Sequence, residues 1–424
     1  MKRMLSGIAK CAVCWAAELA VCFGLLCAAA AIPASALTAN LLTSSDRLAI
    51  HAPHEKTVKS LYYSTCDNFA DAVLLGIAAN MSQGDVLRTA LNTRYYDDGY
   101  GPAVGIRASV NGAAANVDYT RYWHGTLVFV RPLLAVTDLR GIRILGAAAI
   151  SLLFLADCVW LMRGKHRAAC VILIASAVLI HLPFALTTVE YMSVFVILLA
   201  VLPFYVRFAA DPGKLVLLSA GVGTLTAFFD FLTAETLTLL VPLLMAFFVR
   251  AEQGELPDEK QSLRLTIGCG AAWGCAYLAS FAAKWALASL ALGTDVSGAA
   301  MDAAGVRFTG DADGITSVPV MLVTALGANL SRLVPTAERC SVIGILVWLL
   351  LFGAVCVFLW RYNPRQHNLP KCTILIAVLP LLRFAVLMNH SLLHSFFTYR
   401  ALMATIMAVL GLMWYRVGTK FRKV

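Results

Sequence analysis

The residues of this chain that could do chemistry gather in a few short runs. Asp67 and Asp71 stand one helical turn apart in Cys66-Asp67-Asn68-Phe69-Ala70-Asp71. A carboxylate pair like this can take a proton from a hydroxyl, or hold a divalent cation between its oxygens. Like charges at that spacing also raise one of the two pKa values. Asp97 and Asp98 follow in Tyr95-Tyr96-Asp97-Asp98-Gly99, and Tyr119-Thr120-Arg121-Tyr122-Trp123-His124-Gly125 adds a cation and an imidazole. A basic set lies much later: Lys284, Arg383, and then Arg400 at the end of Asn389-His390-Ser391-Leu392-Leu393-His394-Ser395-Phe396-Phe397-Thr398-Tyr399-Arg400. Guanidinium groups match phosphate bidentately, and His390 and His394 are extra donors. Each residue alone has a plainer reading. Asp97-Asp98-Gly99 suits a turn, Trp123 an aromatic belt, Arg400 a snorkelling helix end, and Asp67 with Asp71 a solvated face.

The elements that must position them are membrane helices. The chain has 424 residues, 60% hydrophobic and 14% charged, with a mean hydropathy of +0.77. Repeated apolar runs of about 17–25 residues define an all-α, polytopic integral membrane protein. The spans fall at 10–33, 142–162, 168–187, 190–206, 215–232, 236–249, 266–291, 341–360, 372–388 and 401–415, about ten in all. The organisation is then a first helix within 1–36, an extracytoplasmic loop 37–141 with juxtamembrane helices, and a multi-helix membrane domain 142–424. Within the loop, Cys66–Met81 reads as a helix, and Gly125–Thr137, interrupted by Arg131-Pro132, as a helix lying in the interface. Ala34-Ser35-Ala36 resembles a signal cleavage site, but the apolar run before it is longer than the ~7–15 residues of a signal core, which favours an uncleaved first helix.

The net charge of +10 resides mostly at helix ends, where it orients helices and meets anionic lipid, so a nucleic-acid partner is excluded. Short loops rich in Lys and Arg fall on one side under this count. That places both termini in the cytoplasm and the long loop outside. Most of the 12 cysteines lie in apolar spans, where the thiol behaves as a small hydrophobe. Cys66 and Cys340 could both face outside and pair. The polar residues of the spans (His181, Glu190, Asp230, Glu235, Lys284, Arg383) concentrate toward the outer side, a pattern of a one-sided site rather than a path through the membrane.

This layout resembles the multi-pass glycosyltransferases with the C-type (GT-C) fold. The resemblance rests on the first helix, the long outer loop with its acidic positions Asp67/Asp71 and Asp97-Asp98, and the interfacial run Gly125–Thr137. It implies transfer of a sugar from a polyprenyl-phosphate donor to a cell-envelope glycan or lipid, in a bacterial plasma membrane. Under it, Asp67 is the base or a metal ligand, with Asp71 supporting and His124 adjacent. The phosphate-binding set is Arg121, Lys284, Arg383, His390, His394 and Arg400. A divalent cation is compatible with this reading, a lipid-linked sugar donor and membrane lipids are the partners, and Asp67→Asn should abolish transfer. The alternatives are a transporter or flippase of a lipid-linked or anionic substrate, using the same cations with alternating access, and a non-catalytic scaffold for envelope assembly.

Overall fold

The computed structural model describes residues 2–81, 84–312, 314–334, 342–361 and 369–421. The chain opens with α1 (Lys2–Ala30) and α2 (Ala34–Ala49). The loop region then folds as β1 (His54–Lys56), β2 (Thr65–Asp67), α3 (Asn68–Asn80), α4 (Val86–Leu91), β3 (Arg94–Tyr95), α5 (Pro102–Val110), β4 (Val117–Asp118) and α6 (Leu127–Leu134). Next come α7 (Leu139–Arg163), α8 (Arg167–Leu179), α9 (Leu182–Ala185), α10 (Val189–Arg207), α11 (Pro212–Phe229), α12 (Leu237–Gln253) and α13 (Glu259–Leu292). The last part holds α14 (Val296–Thr309), α15 (Val318–Ser331), α16 (Val342–Arg361), α17 (Cys372–Val386), α18 (Met388–Leu393), α19 (Ser395–Thr398), a 3₁₀ turn (Tyr399–Ala401) and α20 (Leu402–Phe421).

Among the described residues, six helical segments are long and apolar enough to cross a membrane: Gly7–Ala30, Leu139–Arg163, Val189–Arg207, Pro212–Phe229, Glu259–Leu292 and Ser395–Tyr415. Exposure fits a lipid surround. On α7, Ile144, Leu145, Leu152, Leu155 and Val159 are exposed, a face that water would penalise and hydrocarbon accepts. The ten sequence-read spans are not all present at that length. The 168–187 span is two pieces: α8 stops at Leu179, and His181 takes a left-handed φ of 56° before the Pro183 turn. The 372–388 span shortens to α17, and the 401–415 span begins earlier, at Ser395.

One core lies between α8, α10, α12, α17 and α20. A second joins α1 and α2 to α3, α6 and the start of α7, so the loop region packs onto the bundle. Both sheets are antiparallel pairs: β1 with β2, His54 opposite Asp67, and β3 with β4, Arg94 opposite Asp118. The expected helix at Cys66–Met81 starts later, at Asn68, because the Asp67 carboxylate accepts the Ala70 N–H and ends the strand as an N-cap. The expected Gly125–Thr137 helix shortens to α6. Its Arg131 is fully buried rather than interfacial, and donates to the carbonyls of Ala29 (2.8 Å), Ile32 (2.5 Å) and Ala78. These carbonyls lie at the ends of α1 and α3, so one guanidinium terminates two helices. Cys66 is a free thiol. Cys340, its possible partner, lies outside the described residues, as do Arg365, Arg422 and Lys423.

Candidate functional site

Two elements set the site: the β2–α3 junction and the start of α10. The Asp67 N–H donates to Thr188 Oγ1 at 2.9 Å, and the Val189 N–H donates to Asp71 Oδ1 at 3.0 Å. These bonds clamp the first turn of α10 against α3. Glu190, in that turn, then lines a cavity of about 270 Å³ together with Asp67 and His54. The Asp67 carboxylate is already well used. Its Oδ1 accepts from Ala70 N (2.9 Å) and lies 3.3 Å from His54 Nδ1, while Oδ2 accepts the Tyr191 hydroxyl at 2.8 Å. The bond to Asp67 raises the His54 pKa against the opposing effect of burial.

Asp71 does not reach this cavity. It is fully buried and turned toward Arg143, whose Nε donates at 2.8 Å and whose Nη2 lies 2.7 Å from the same oxygen. Burial pushes its pKa up to about 6, with Arg143 opposing. The pair therefore cannot share a cation between its oxygens. Among the described residues no group of three or more His, Cys, Asp or Glu has metal-binding spacing. Asp97 and Asp98 cap their own turn, accepting from Gly99 N and Tyr100 N.

Stability should therefore depend on pH. The folded-state pKa of Asp71, about 6 against an ordinary 3.8, means that the folded chain binds this proton more tightly than the unfolded chain. Stability from this group is highest below the ordinary value and falls as pH rises through the folded value. Arg143→Met removes the counter-charge and widens that window upward. Its thermal midpoint in detergent should fall sharply relative to wild type at pH 8 and much less at pH 5. An equal loss at both pH values would reject the ion pair as the cause.

The far wall of the cavity carries Tyr119, Arg121, Tyr122, His124, Phe231, Arg307, His390 and His394. His124 has a left-handed φ of 55°, and the next residue must be glycine: Gly125 N–H donates to Phe228 O at 2.9 Å, and a Cβ there would lie 2.5 Å from that carbonyl. Burial brings the His124 pKa down to about 3. Its Nε2 is 3.0 Å from Tyr119 O and so carries the proton. Arg307 Nη1 donates to His394 Nε2 at 3.1 Å, which places the His394 proton on Nδ1. Burial, then Arg307, takes the His394 pKa down to about 4. Burial also holds His390 well below its ordinary value, with its Nε2 donating to Leu232 O at 2.9 Å. These three imidazoles are therefore neutral at pH 7, and the positive charge of this wall belongs to Arg121 and Arg307. Arg121 lies over the rings of Tyr119 (4.3 Å) and Tyr122 (5.2 Å).

Beside the cavity runs a larger apolar groove of about 910 Å³, walled by Leu239, Leu240, Trp273, Phe281 and Leu382 among others. Arg121, Tyr122 and Arg307 line both spaces. Arg383 lines only the groove, and is committed to Glu235 through Nε (2.8 Å) and Nη2 (3.0 Å).

Of the residues the sequence singled out, Asp67, Arg121, His124, His390 and His394 meet at one cavity. Lys284 and Arg400 line neither space. Lys284 donates to Leu91 O at 2.7 Å, which ties α13 to α4. Arg400 is buried behind Tyr191, 5.3 Å from that ring. Neither reaches the cavity that the other basic candidates line. His54 and Arg307 were missed. His54 gains its meaning only from the β1–β2 register. Arg307 lies in α14, in the stretch between the expected 266–291 and 341–360 spans. No family model matches this chain, and comparison with curated proteins and with solved structures returns no match.

Proposed function

We propose that this protein transfers a sugar from a polyprenyl-phosphate donor to a cell-envelope glycan or lipid, at the outer face of the membrane. One observation carries the reading. Arg121 and Arg307 stand where the apolar groove meets the polar cavity, and among the described residues neither has a carboxylate partner. Arg143 is spent on Asp71, Arg383 on Glu235 and Arg131 on helix carbonyls, and the buried Arg400 lines neither space. Cations held in no ion pair at such a junction suit an anion with an apolar tail on one side and a polar group on the other. A lipid phosphate ester has that shape.

The isoprenoid chain would lie along Leu239, Trp273 and Phe281, and the sugar would enter the cavity between Tyr119, Tyr122 and Phe231. Aromatic faces there meet the apolar faces of a sugar ring. Charge develops on the leaving phosphate oxygen as the glycosidic bond breaks, and two preorganised guanidinium groups stabilise it in a water-poor site. The Tyr277 hydroxyl, buried in the groove wall and without a partner among the described residues, is a spare donor. The cytoplasmic placement of both termini, about ten membrane crossings with the shorter apolar helices included, and a bacterial plasma membrane belong to the same proposal.

The test is direct. Purified protein in vesicles receives a radiolabelled polyprenyl-phosphate hexose and a crude acceptor lipid extract. Label should move to the acceptor while polyprenyl phosphate accumulates in equal amount. Label that crosses the bilayer still joined to its lipid, with no covalent transfer, would replace this reading by the flippase.

A further inference from the structure

Transfer of a sugar to a hydroxyl needs a base, and two carboxylates line the cavity: Asp67 and Glu190. We infer that Glu190, rather than Asp67, takes the proton of the attacking hydroxyl. The inference rests on the transferase reading above and assigns a residue within it.

Free lone pairs distinguish the two. Asp67 receives the Ala70 N–H, the Tyr191 hydroxyl and the His54 imidazole. Each of these bonds has a structural purpose: they cap α3, fasten α10 and close the β1–β2 pair. A proton arriving on Asp67 finds only one lone pair left, on Oδ2, and by neutralising the carboxylate weakens all three bonds. The Glu190 side chain faces the same cavity, and among the described residues no hydrogen bond or ion pair occupies its carboxylate. Only its backbone carbonyl is engaged, by the Ser193 hydroxyl at 3.3 Å.

Its position is also fixed from behind. Thr188 and Val189, the two preceding residues, are tied to Asp67 N and to the Asp71 carboxylate, so the backbone that carries Glu190 cannot drift. It stands in the first turn of α10. The imidazoles of the cavity are poorer candidates. His394 Nε2 is occupied by Arg307, and His54 is turned to Asp67. His124 and His390 would have to become cations in a buried wall that already holds Arg121 and Arg307.

The step balances with these residues alone. The acceptor oxygen forms a bond to the anomeric carbon as the bond from that carbon to the phosphate oxygen breaks. The electron pair of the broken bond leaves on polyprenyl phosphate, facing Arg121 and Arg307. The hydroxyl proton passes to Glu190 and is released to solvent as the products leave, which restores the carboxylate.

Glu190→Gln should lower kcat for transfer about 10²- to 10⁴-fold, the range of a lost general base, with binding of polyprenyl phosphate unchanged. Asp67→Asn should lower the thermal midpoint and cost less turnover, because the amide keeps an oxygen for the cap. Glu190→Ala with added formate should regain part of its rate, since a small carboxylate can enter the space left, and Asp67→Ala should not. Wild-type kcat in Glu190→Gln, or rescue by formate of Asp67→Ala alone, overturns the assignment while the transferase stands. A wild-type protein that moves no sugar removes the transferase reading and this assignment with it.

Discussion

Replacing Arg121 and Arg307 together by alanine should lower kcat/KM for the lipid-phosphate donor about 10²- to 10⁴-fold, given ~1.5–3 kcal/mol for each hydrogen bond to a charged group. Binding of polyprenyl phosphate to the protein in micelles should weaken in step, since the leaving group keeps the same contacts when no sugar is attached. The fold should survive. Among the described residues neither guanidinium forms an ion pair with a carboxylate, so their removal breaks no direct bridge, and the thermal midpoint should fall far less than in Arg383→Met. Arg121→Lys should recover little, because an ammonium cannot lie flat between the Tyr119 and Tyr122 rings and also grip two phosphate oxygens. A transporter of the same lipid would show the same loss of binding, so the decisive measurement is covalent transfer by the single variants, each expected to fall between wild type and the pair. Unchanged polyprenyl-phosphate binding in the double variant would remove the junction as the phosphate site.

What the sequence disclosed, and what it withheld, follows from the range over which each signal acts. The apolar runs are local, and they announced a helical membrane protein outright. Several of the polar residues singled out in the sequence, Asp67, Arg121, His124, Glu190, His390 and His394, do meet at one cavity. Partner choice was not legible. Asp67 and Asp71 read as an equivalent pair at helical spacing, yet one caps α3 at the cavity wall and the other is consumed by Arg143, a residue 72 positions away. Arg383 and Arg400 read as similar outer cations. The first pairs with Glu235 across 148 positions, and the second packs behind Tyr191. His181 looked like a residue inside one span, but its left-handed backbone ends α8 and breaks that span. Glu190 was visible at a turn, but its freedom from partners is a fact of three dimensions. Arg307 had no periodic context that would place it opposite His394.

The Arg383–Glu235 pair separates a structural cation from a substrate-binding one, and its variants should show large effects. Both side chains are almost wholly buried. Besides Glu235, the guanidinium donates to Leu232 O at 2.7 Å and lies 3.4 Å from Ser391 Oγ. Leu232 itself holds a left-handed φ of 64°, a strained turn in which Thr233 N–H donates to Asp230 at 3.1 Å. The same Leu232 carbonyl accepts His390, so Arg383 joins α17, the α11–α12 turn and the cavity wall at one point. Arg383→Met leaves the Glu235 carboxylate uncompensated beside Asp230, and breaking one side of a buried pair costs about 3–5 kcal/mol. The thermal midpoint should fall steeply. Arg383→Met with Glu235→Leu should recover most of that loss, since two apolar side chains suit the groove wall, while Leu232 and His390 remain less well held. Transfer should therefore return only in part, with the deficit in kcat rather than in donor binding. If Arg383 instead gripped the phosphate, Arg383→Met would keep its midpoint and lose polyprenyl-phosphate binding, and the second substitution would restore nothing.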